Sequence, residues 1–545
     1  MANVKFDKKT FEKEIGKIDE EMQEKISLFG TPFESLDEES LEIEVFPNRP
    51  DLLSYQGFKR SFLAFLGKKT GFKNYKLKKP EKNYEVKVDS SVKDVRPFTV
   101  CAIVKDLKLN EKRIKEIIDI QEKLHATMGR QRKKLAIGIY PLEKISFPIN
   151  YRAVEPDKIK FHPLDSPREM SGLEILQKHP AGKEFAHLLA GKIKFPIFVD
   201  SQNNILSMPP VINSEKTGRV SENTREIFIE CSGFDYNILE KALTIIVTNL
   251  AEMGGDIYQI KVKDKITPSF KSEKMPLSLD KTNKILGLKI NEKTLKKLIE
   301  KMGHNYTNGK VEIPPWRTDI LHEIDLIEDV AIAYGYDNFE PLIPKVSTIG
   351  KENPKEIVKR KISEILTGLE LLEVSNYHLT KKEDQFLKMG IQEKEESNFI
   401  EVESSKTDYT IMRKDLLHYA LKIISENNDS EYPQKIFEMG RAFCTDKNKN
   451  IIEEEKLSVA TTPGNFTDLK QILDYLFYNL GLEFKVKEPE KDSLPFVEGR
   501  AAEIIFEGEK IGVIGEIHPK ILKNWKIKMP VSLLEINLEK IFQKF

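Results

Sequence analysis

Apolar residues recur every three or four positions in several stretches of the chain, which predicts amphipathic helices. The clearest predicted helix runs from residue 235 to residue 253, with Asp235 as its N-cap and Gly254 as its stop. The first predicted helix carries Phe11, Ile15, Ile18 and Met22 on one face, with Thr10 as its cap. Further helices are predicted at residues 52–66, 282–286, 292–302, 320–331, 355–368, 416–424 and 468–480, and residues 171–189 are predicted to be helical with an interruption near Pro180.

Alternating or short continuous apolar runs predict strands between these helices. The strand candidates are residues 41–46, 86–88, 99–104, 136–140, 195–199, 226–231, 373–379, 434–439 and 457–461, with a hairpin formed by 501–506 and 510–514. A chain of 545 residues should contain about three or four domains. We predict a multidomain α+β protein divided at residues 1–82, 83–264, 265–345 and 346–545.

Composition narrows the choice of function. Lysine plus arginine equals aspartate plus glutamate at 87 each, so no global positive field attracts nucleic acid. Cys101, Cys231 and Cys444 are too few for a disulfide framework and too far apart for a zinc motif, which fits a reducing cytoplasm. No apolar run approaches the ~20 residues that span a bilayer, and no apolar segment of a signal peptide follows the first residues. We expect a cytoplasmic protein with no membrane partner.

An acidic helix follows the turn at Pro314 and Pro315. Asp319 is its predicted N-cap, and Asp325, Glu328 and Asp329 stand at i, i+3 and i+4, on one face. Like charges at this spacing cost a few tenths of a kcal/mol per pair in a bare helix. Either a hard cation such as Mg²⁺ binds the carboxylates, or the face is simply solvated near a helix N-terminus. The spacing alone leaves both explanations open.

Motifs of self-contained enzymes are missing from the sequence. There is no phosphate-binding P-loop, no Gly-x-Gly-x-x-Gly and no Gly-x-Ser-x-Gly. His322-Glu323 begins a zinc-protease pattern, but Leu326 stands where the second histidine is required. Nothing indicates a nucleophilic or metal-dependent hydrolase.

Several motifs, in order and over nearly the full length, resemble the β subunits of phenylalanyl-tRNA synthetases of the shorter archaeal and eukaryotic type. The motifs are Asn48-Arg49-Pro50-Asp51, Pro209-Pro210-Val211-Ile212-Asn213-Ser214-Glu215, Arg317-Thr318-Asp319, Tyr334-Gly335-Tyr336, Met412-Arg413-Lys414-Asp415, Phe437-Glu438-Met439-Gly440-Arg441 and Gly515-Glu516-Ile517-His518-Pro519.

The resemblance implies an N-terminal α/β module at 1–82 and a mixed α/β editing module at 83–264. It also implies a small DNA-binding-like central module at 265–345. Residues 346–545 would form a class II synthetase-like antiparallel sheet domain without an active site. Arg413 stands where the second motif of that fold would place an arginine that binds ATP, but the Gly-rich run that should accompany it is missing, so we predict that Arg413 is a structural salt-bridge partner. It implies no catalytic residue for synthesis in this chain. It implies Mg²⁺ held by Asp319, Asp325, Glu328 and Asp329 and shared with an α subunit. The editing-pocket candidates are Asn213, Ser214, Glu215, Thr217 and Glu230, with Glu215 or Glu230 accepting the proton of a tyrosine phenol.

The function implied is that of the β subunit of a phenylalanine–tRNA ligase. With α chains, in an (αβ)2 heterotetramer, it would attach phenylalanine to tRNA(Phe) using ATP and hydrolyse mischarged Tyr-tRNA(Phe). Two alternatives remain. One is a stand-alone aminoacyl-tRNA editing hydrolase, which leaves the long C-terminal domain without a role. The other is a non-enzymatic scaffold or nucleic-acid-binding protein, which the balanced charge disfavours.

Overall fold

The computed structural model describes residues 2–81, 84–345, 350–392, 398–489 and 495–545. The chain divides into two compact units, Met1–Ile343 and Pro344–Phe545. The domain boundary expected between residues 82 and 83, and residue 346, where the last domain was expected to begin, lie outside the described residues. No helix among the described residues is long and apolar enough to cross a membrane.

The strands of the first unit are short, and most belong to sheets that are buried on at least one face. They are β1 (Ala2–Asp7), β2 (Phe33–Leu36), β3 (Ser40–Val45), β4 (Leu77–Lys78), β5 (Glu85–Val88), β6 (Phe98–Lys105), β7 (Leu135–Pro141), β8 (Ile149–Val154), β9 (Lys160–Phe161), β10 (Met170–Ser171), β11 (Phe195–Val199), β12 (Ile205–Met208), β13 (Ile212–Asn213), β14 (Ile227–Gly233), β15 (Asp256–Tyr258), β16 (Ile260–Val262), β17 (Lys265–Thr267), β18 (Glu273–Pro276), β19 (Asn305–Thr307) and β20 (Lys310–Ile313).

The helices of the first unit pack on these sheets or on one another. They are α1 (Lys8–Glu14), α2 (Glu20–Leu28), α3 (Tyr55–Phe65), α4 (Glu111–Ala126), α5 (Gly172–Lys178), α6 (Pro180–Phe185), α7 (Glu215–Gly218), α8 (Tyr236–Glu252), α9 (Leu279–Leu286), α10 (Glu292–Lys301) and α11 (Glu323–Tyr334).

A five-stranded sheet in the order β4-β15-β6-β14-β7 forms the centre of the first unit. Its strand β14 is buried along its whole length. Ile227, Ile229 and Cys231 belong to a core shared with α4 and α8, whereas Phe228 belongs to a second core shared with a seven-stranded sheet. Because side chains alternate along a strand, Glu230 faces the same side as Phe228. A carboxyl group is therefore placed inside an apolar layer.

The first unit also contains two three-stranded sheets and one seven-stranded sheet. Strands β1, β3 and β2 form an antiparallel sheet near the N-terminus, and β18, β20 and β19 form another near the acidic helix. The seven-stranded sheet has the order β13-β12-β11-β8-β5-β16-β17. Its strand β13 pairs with β12 and ends at Asn213, where the segment with the predicted editing residues begins.

Three helix and strand predictions were wrong. The stretch from Thr10 to Met22 forms two helices, capped by Asp7 and Asp19, because Gly16 and its neighbours interrupt the first. The acidic helix begins at Glu323 with His322 as its N-cap, so Asp319 is not the cap. Of the strand predicted at 373–379, only Glu373 and Leu379 belong to strands, each of two residues. The helix capped by Asp235 is confirmed.

The second unit is built on a seven-stranded sheet in the order β21-β24-β25-β29-β28-β27-β26. All of its strand pairs are antiparallel except that of β21 with β24. Its strands are β21 (Leu372–Glu373), β22 (Leu379–Thr380), β23 (Ile411–Met412), β24 (Gln434–Thr445), β25 (Ile451–Thr462), β26 (Lys485–Lys487), β27 (Phe496–Phe506), β28 (Glu509–Ile517) and β29 (Ser532–Asn537). Its helices are α12 (Pro354–Gly368), α13 (Leu417–Glu426), α14 (Phe466–Leu480), α15 (Pro519–Asn524) and α16 (Glu539–Phe542). The hairpin predicted around Glu507 is confirmed.

Candidate functional site

A cavity of about 490 Å³ lies in the first unit between the five-stranded sheet, α4 and the segment around β13. Helix α4 lines it with one apolar stripe, and β7 lines it with Ala136, Ile137 and Ile139. The apolar lining consists of Ile114, Ile117, Ile118, Ala136, Ile137, Ile139, Leu164, Ala181, Pro209, Pro210, Val211, Ile212 and Val220. Walls of this kind accept an aromatic or aliphatic group by burying its surface.

The floor of this cavity is polar. Glu230 on β14, Ser207 on β12 and Asn213 on β13 line it. The hydroxyl of the buried Tyr140 lies 3.3 Å from Oε1 of Glu230 and 3.4 Å from Oδ1 of Asn213. Oε2 of Glu230 and Oγ of Ser207 are buried without a hydrogen-bond partner among the described residues. Buried polar atoms are normally paired, so these two are candidates for hydrogen bonds to a bound molecule.

Burial raises the pKa of Glu230 to about 8, although the charge of the nearby Arg96 partly opposes the shift. Taking a carboxylate out of water disfavours its charged form. At neutral pH Glu230 is therefore an uncharged acid, with one hydrogen to donate and oxygens that accept. It offers hydrogen bonds to a hydroxyl group without placing a negative charge in the cavity.

The absence of a side chain at Gly138 keeps the floor open. A Cβ atom at this position would lie 2.2 Å from the Tyr140 hydroxyl and 2.6 Å from Oε1 of Glu230. Both distances are far below van der Waals contact. Glycine on β7 therefore leaves room for the polar floor that faces it across the strand pair.

One wall of the cavity is fixed by His125 and Arg132. The Nε2 atom of His125 accepts a hydrogen bond from the backbone amide of Ile137 at 2.8 Å, and burial lowers its pKa. The ring is therefore neutral, with its proton on Nδ1, which lies 3.2 Å from Glu122. Because its only lone pair is occupied, His125 holds the wall in place and is not free to act as a general base.

The structure brings two of the five predicted editing residues, Asn213 and Glu230, into this cavity. Glu215 turns away and accepts hydrogen bonds from Arg219 at 2.6 Å and from the Asp165 amide at 3.0 Å. Ser214 and Thr217 are buried, and neither lines the cavity. The sequence analysis did not identify Tyr140, Ser207 or Arg132. A charged residue within the apolar run around Glu230 was the one local sign of the site.

The acidic helix contributes to a different arrangement, centred on the buried Arg317. Its guanidinium donates to both oxygens of Asp319 at 2.8 and 2.7 Å and to both oxygens of Asp329 at 3.1 and 2.9 Å. Nε2 of His304 lies 2.8 Å from Asp329. Burial opposes ionisation of both carboxyl groups, but the charge of Arg317 outweighs it and lowers their pKa values.

The other two predicted metal ligands lie apart from this ion pair. Asp325 caps its own helix by accepting the amides of Leu321 and His322, each at 2.8 Å, and Glu328 is exposed. Within the described part of the chain, no group of three or more His, Cys, Asp or Glu side chains is placed to hold a metal ion. The four carboxylates therefore do not fit a magnesium ion in this geometry. Mg²⁺ binding by them stays a prediction.

In the second unit, Arg413 is buried and points into the fold. It donates to Oε1 of Glu438 and to the carbonyl of Arg441, each at 2.6 Å, and to the carbonyl of Asn376 at 3.2 Å. The prediction that Arg413 is a salt-bridge partner is confirmed.

Comparison with known families defines the class of protein. Residues 89–251, which contain the cavity, match the B3/4 domain, and residues 275–336, which contain the acidic helix, match the tRNA synthetase B5 domain. Residues 340–538 match the phenylalanyl tRNA synthetase beta chain CLM domain. The second and third of these families are domains of tRNA synthetases.

Individual relatives are similar over almost the whole chain. The phenylalanine–tRNA ligase beta subunit of Thermococcus sibiricus is 42% identical over 509 residues, covering 91% of this chain and 90% of the relative. That of Archaeoglobus fulgidus is 37% identical over 527 residues, covering 95% and 94%. The crystal structure of an N-terminal fragment of the Pyrococcus horikoshii subunit is 37% identical, with a TM-score of 0.58 over 61% of this chain and 99% of the fragment. The chain belongs to the family of phenylalanine–tRNA ligase β subunits.

Proposed function

We propose that this chain works with an α subunit in a phenylalanine–tRNA ligase and that its own cavity hydrolyses tyrosine wrongly attached to tRNA(Phe). The observation that carries the second part is the polar floor of the cavity: an uncharged Glu230, beside Ser207, at the end of apolar walls. A tyrosine ring would lie against the isoleucines, and its phenol would take the two unpaired hydrogen-bonding positions of the floor.

The same floor explains how phenylalanine would be spared. A phenylalanine ester would leave the buried atoms of Glu230 and Ser207 without partners. Sites built to bind a hydroxyl group reject the analogue that lacks it by about 10⁴–10⁵-fold. This cavity would therefore prefer tyrosine to phenylalanine, whereas a pocket that selects phenylalanine has the opposite preference. A proofreading site requires this reversal.

Hydrolysis itself would depend on placement of a water molecule. Burial raises the pKa values of Cys101 and Cys231, so neither thiol is a ready nucleophile. Of the two histidines that line the cavity, His125 is committed to the backbone amide of Ile137. His179 lies 3.1 Å from the carbonyl of Leu164 through Nε2, and its buried Nδ1 atom has no hydrogen-bond partner among the described residues. Holding the ester and a water molecule together can by itself supply a large part of the rate. Glu230 and Asn213 act in this scheme by positioning the side chain of the substrate.

The second unit would serve as a non-catalytic, class II synthetase-like partner of the α chain. Its mainly antiparallel sheet agrees with this role, and Arg413 is already paired with Glu438. The α chain would then supply the synthetic site that uses ATP. Assembly as an (αβ)2 heterotetramer in the cytoplasm belongs to the same proposal.

A glycine substitution tests the editing role. In the complex with α, Gly138→Ala should slow hydrolysis of Tyr-tRNA(Phe) by about 100-fold, since misplacement by ~1 Å has effects of that size. Aminoacylation with phenylalanine should be unchanged. The matched control is Gly368→Ala, whose added Cβ meets no atom within 4 Å. Unchanged hydrolysis in the Gly138 variant would refute the assignment of this cavity. Synthesis by this chain without α would refute the division of labour.

A further inference from the structure

The loop between α4 and β7, residues 128–134, is basic and unusually bent; we refer to it as the basic loop. Arg130, Gln131 and Arg132 have φ values of 47°, 53° and 62°. Three consecutive residues other than glycine in the left-handed region are unfavourable and persist only where the surroundings impose them. Here the amide of Arg132 donates to the carbonyl of His125 at 3.1 Å, and that of Lys134 donates to Gly129 at 2.8 Å.

Arg132 fastens the basic loop to the cavity. Its guanidinium donates to the carbonyl of Val211 at 2.9 Å and to both oxygens of Glu122 at 3.0 and 3.1 Å. It also lies over the ring of Phe185, 4.3 Å from the ring centre. Arg132 and Val211 both line the cavity. The bent loop therefore has a fixed position at the cavity rim.

Within the described part of the chain, the remaining cations of the basic loop have no partner. Arg130 and Lys133 are exposed and Lys134 is half-buried, and no side chain among these three makes a hydrogen bond or ion pair with the described residues. The carboxylates of the cavity lining do not balance them. Glu122 is paired with Arg132, and Asp165 is paired with Arg219 at 2.7 Å. Positive side chains that have no ion-pair partner and no neighbouring negative charge attract a polyanion.

We propose that the basic loop binds the phosphate backbone of the RNA strand whose 3′ end delivers an aminoacyl ester to the cavity. This inference rests on the proposed editing function. The ester is joined to the terminal ribose, so the phosphates that precede it must pass the rim whenever the amino acid is in the cavity. Arg130, Lys133 and Lys134 lie where such phosphates pass. The imposed bend keeps their backbone in one conformation, which reduces the entropy lost on binding.

The test compares three triple variants in the complex with α. Arg130→Gln/Lys133→Gln/Lys134→Gln removes the charges, whereas Arg130→Lys/Lys133→Arg/Lys134→Arg retains them. The control, Lys9→Gln/Lys13→Gln/Lys17→Gln, removes three exposed cations near the N-terminus. KM and kcat for hydrolysis of Tyr-tRNA(Phe) are measured from about 50 to 200 mM salt, together with the affinity for a hairpin RNA that has an unpaired 3′ end.

The charge-removing variant should raise KM and leave kcat unchanged. Each single-strand phosphate contact contributes about 0.7 to the slope of log affinity against log salt. Loss of three contacts should lower that slope by about 2, so the wild type should lose ~20-fold more affinity than the variant over this salt range. The charge-retaining variant should behave as the wild type does. A KM and a salt slope equal to those of the lysine control would overturn the inference, as would a fall in kcat alone.

RNA binding separates this inference from the editing proposal. If the wild-type complex hydrolyses no mischarged tRNA but the charge-removing variant still loses hairpin binding with a lower salt slope, the basic loop binds RNA and the editing proposal is wrong. If hydrolysis is intact and hairpin binding is the same in all three variants, the basic loop has no such role. Equal melting temperatures of the variants verify that the fold is retained.

Discussion

The uncharged state of Glu230 makes the stability of the first unit depend on pH. The pKa of this carboxyl group is about 8 in the folded chain, against 4.5 for the ordinary group. Its folded-state pKa is the higher one, so the stability it confers is fully present below pH 4.5 and is lost as the pH rises towards 8. Glu230→Gln replaces the acid with an uncharged side chain of nearly the same shape that does not titrate.

The size of the effect follows from the pKa difference. Each pKa unit corresponds to about 1.4 kcal/mol, so a shift from 4.5 to about 8 amounts to roughly 5 kcal/mol. At pH 7 about 3 kcal/mol of that has been lost. We therefore expect wild type and Glu230→Gln to be equally stable near pH 4.5. The variant should become the more stable by about 1.4 kcal/mol per pH unit, up to a constant difference above pH 8.

Hydrogen exchange of the peptide that covers β14 measures this difference where it arises. Comparing both proteins at the same pH cancels the intrinsic exchange rate. About 3 kcal/mol at pH 7 corresponds to roughly 100-fold slower exchange in the variant. Glu143→Gln, at an exposed position of the same unit, controls for the change in net charge. Parallel pH profiles for wild type and Glu230→Gln would refute the argument, because they would mean that Glu230 is ionised in the folded protein.

Further predictions concern the central ion pairs and one helix cap. Arg317→Met should destabilise the first unit by about 3–5 kcal/mol, because Asp329 would remain buried without its cation. Urea unfolding followed by the fluorescence of Trp316 measures the loss of stability, and a loss below ~1 kcal/mol would contradict the prediction. Calorimetric titration of Mg²⁺ into the chain alone should give the same heat for the wild type and for Asp325→Asn. A binding heat that is present in the wild type and lost in the variant would show that the carboxylates rearrange to bind metal. Asp235→Ala should cost about 1 kcal/mol, since the Asp235 carboxylate accepts the amides of Asn237 and Ile238; an unchanged melting temperature would show that this cap is dispensable.

Some features of this protein follow from short stretches of sequence. The helix from Tyr236 to Glu252 begins at Asp235 and ends before Gly254, as its cap, apolar spacing and stop indicate. The hairpin around Glu507 follows from two alternating runs and a turn. In these cases the deciding interactions, hydrogen bonds at a helix end or side-chain alternation, join residues that are close in the chain. Family membership also came from the sequence, because the order of many motifs is retained.

The sites were decided by contacts between distant segments. Asp319 is a residue type that often caps helices, and it stands just before the acidic helix. The buried Arg317, which also pairs with Asp329, draws it into an ion pair instead, and His322 takes the cap position. The sequence analysis left Glu215 and Glu230 as alternative acceptors of the phenol proton. Pairing of β14 with β6 and β7 buries Glu230 beside Tyr140, whereas Arg219 holds Glu215 at the surface. A sequence fixes which groups can ionise, but their charge depends on burial and on neighbouring charges, which only the tertiary structure supplies.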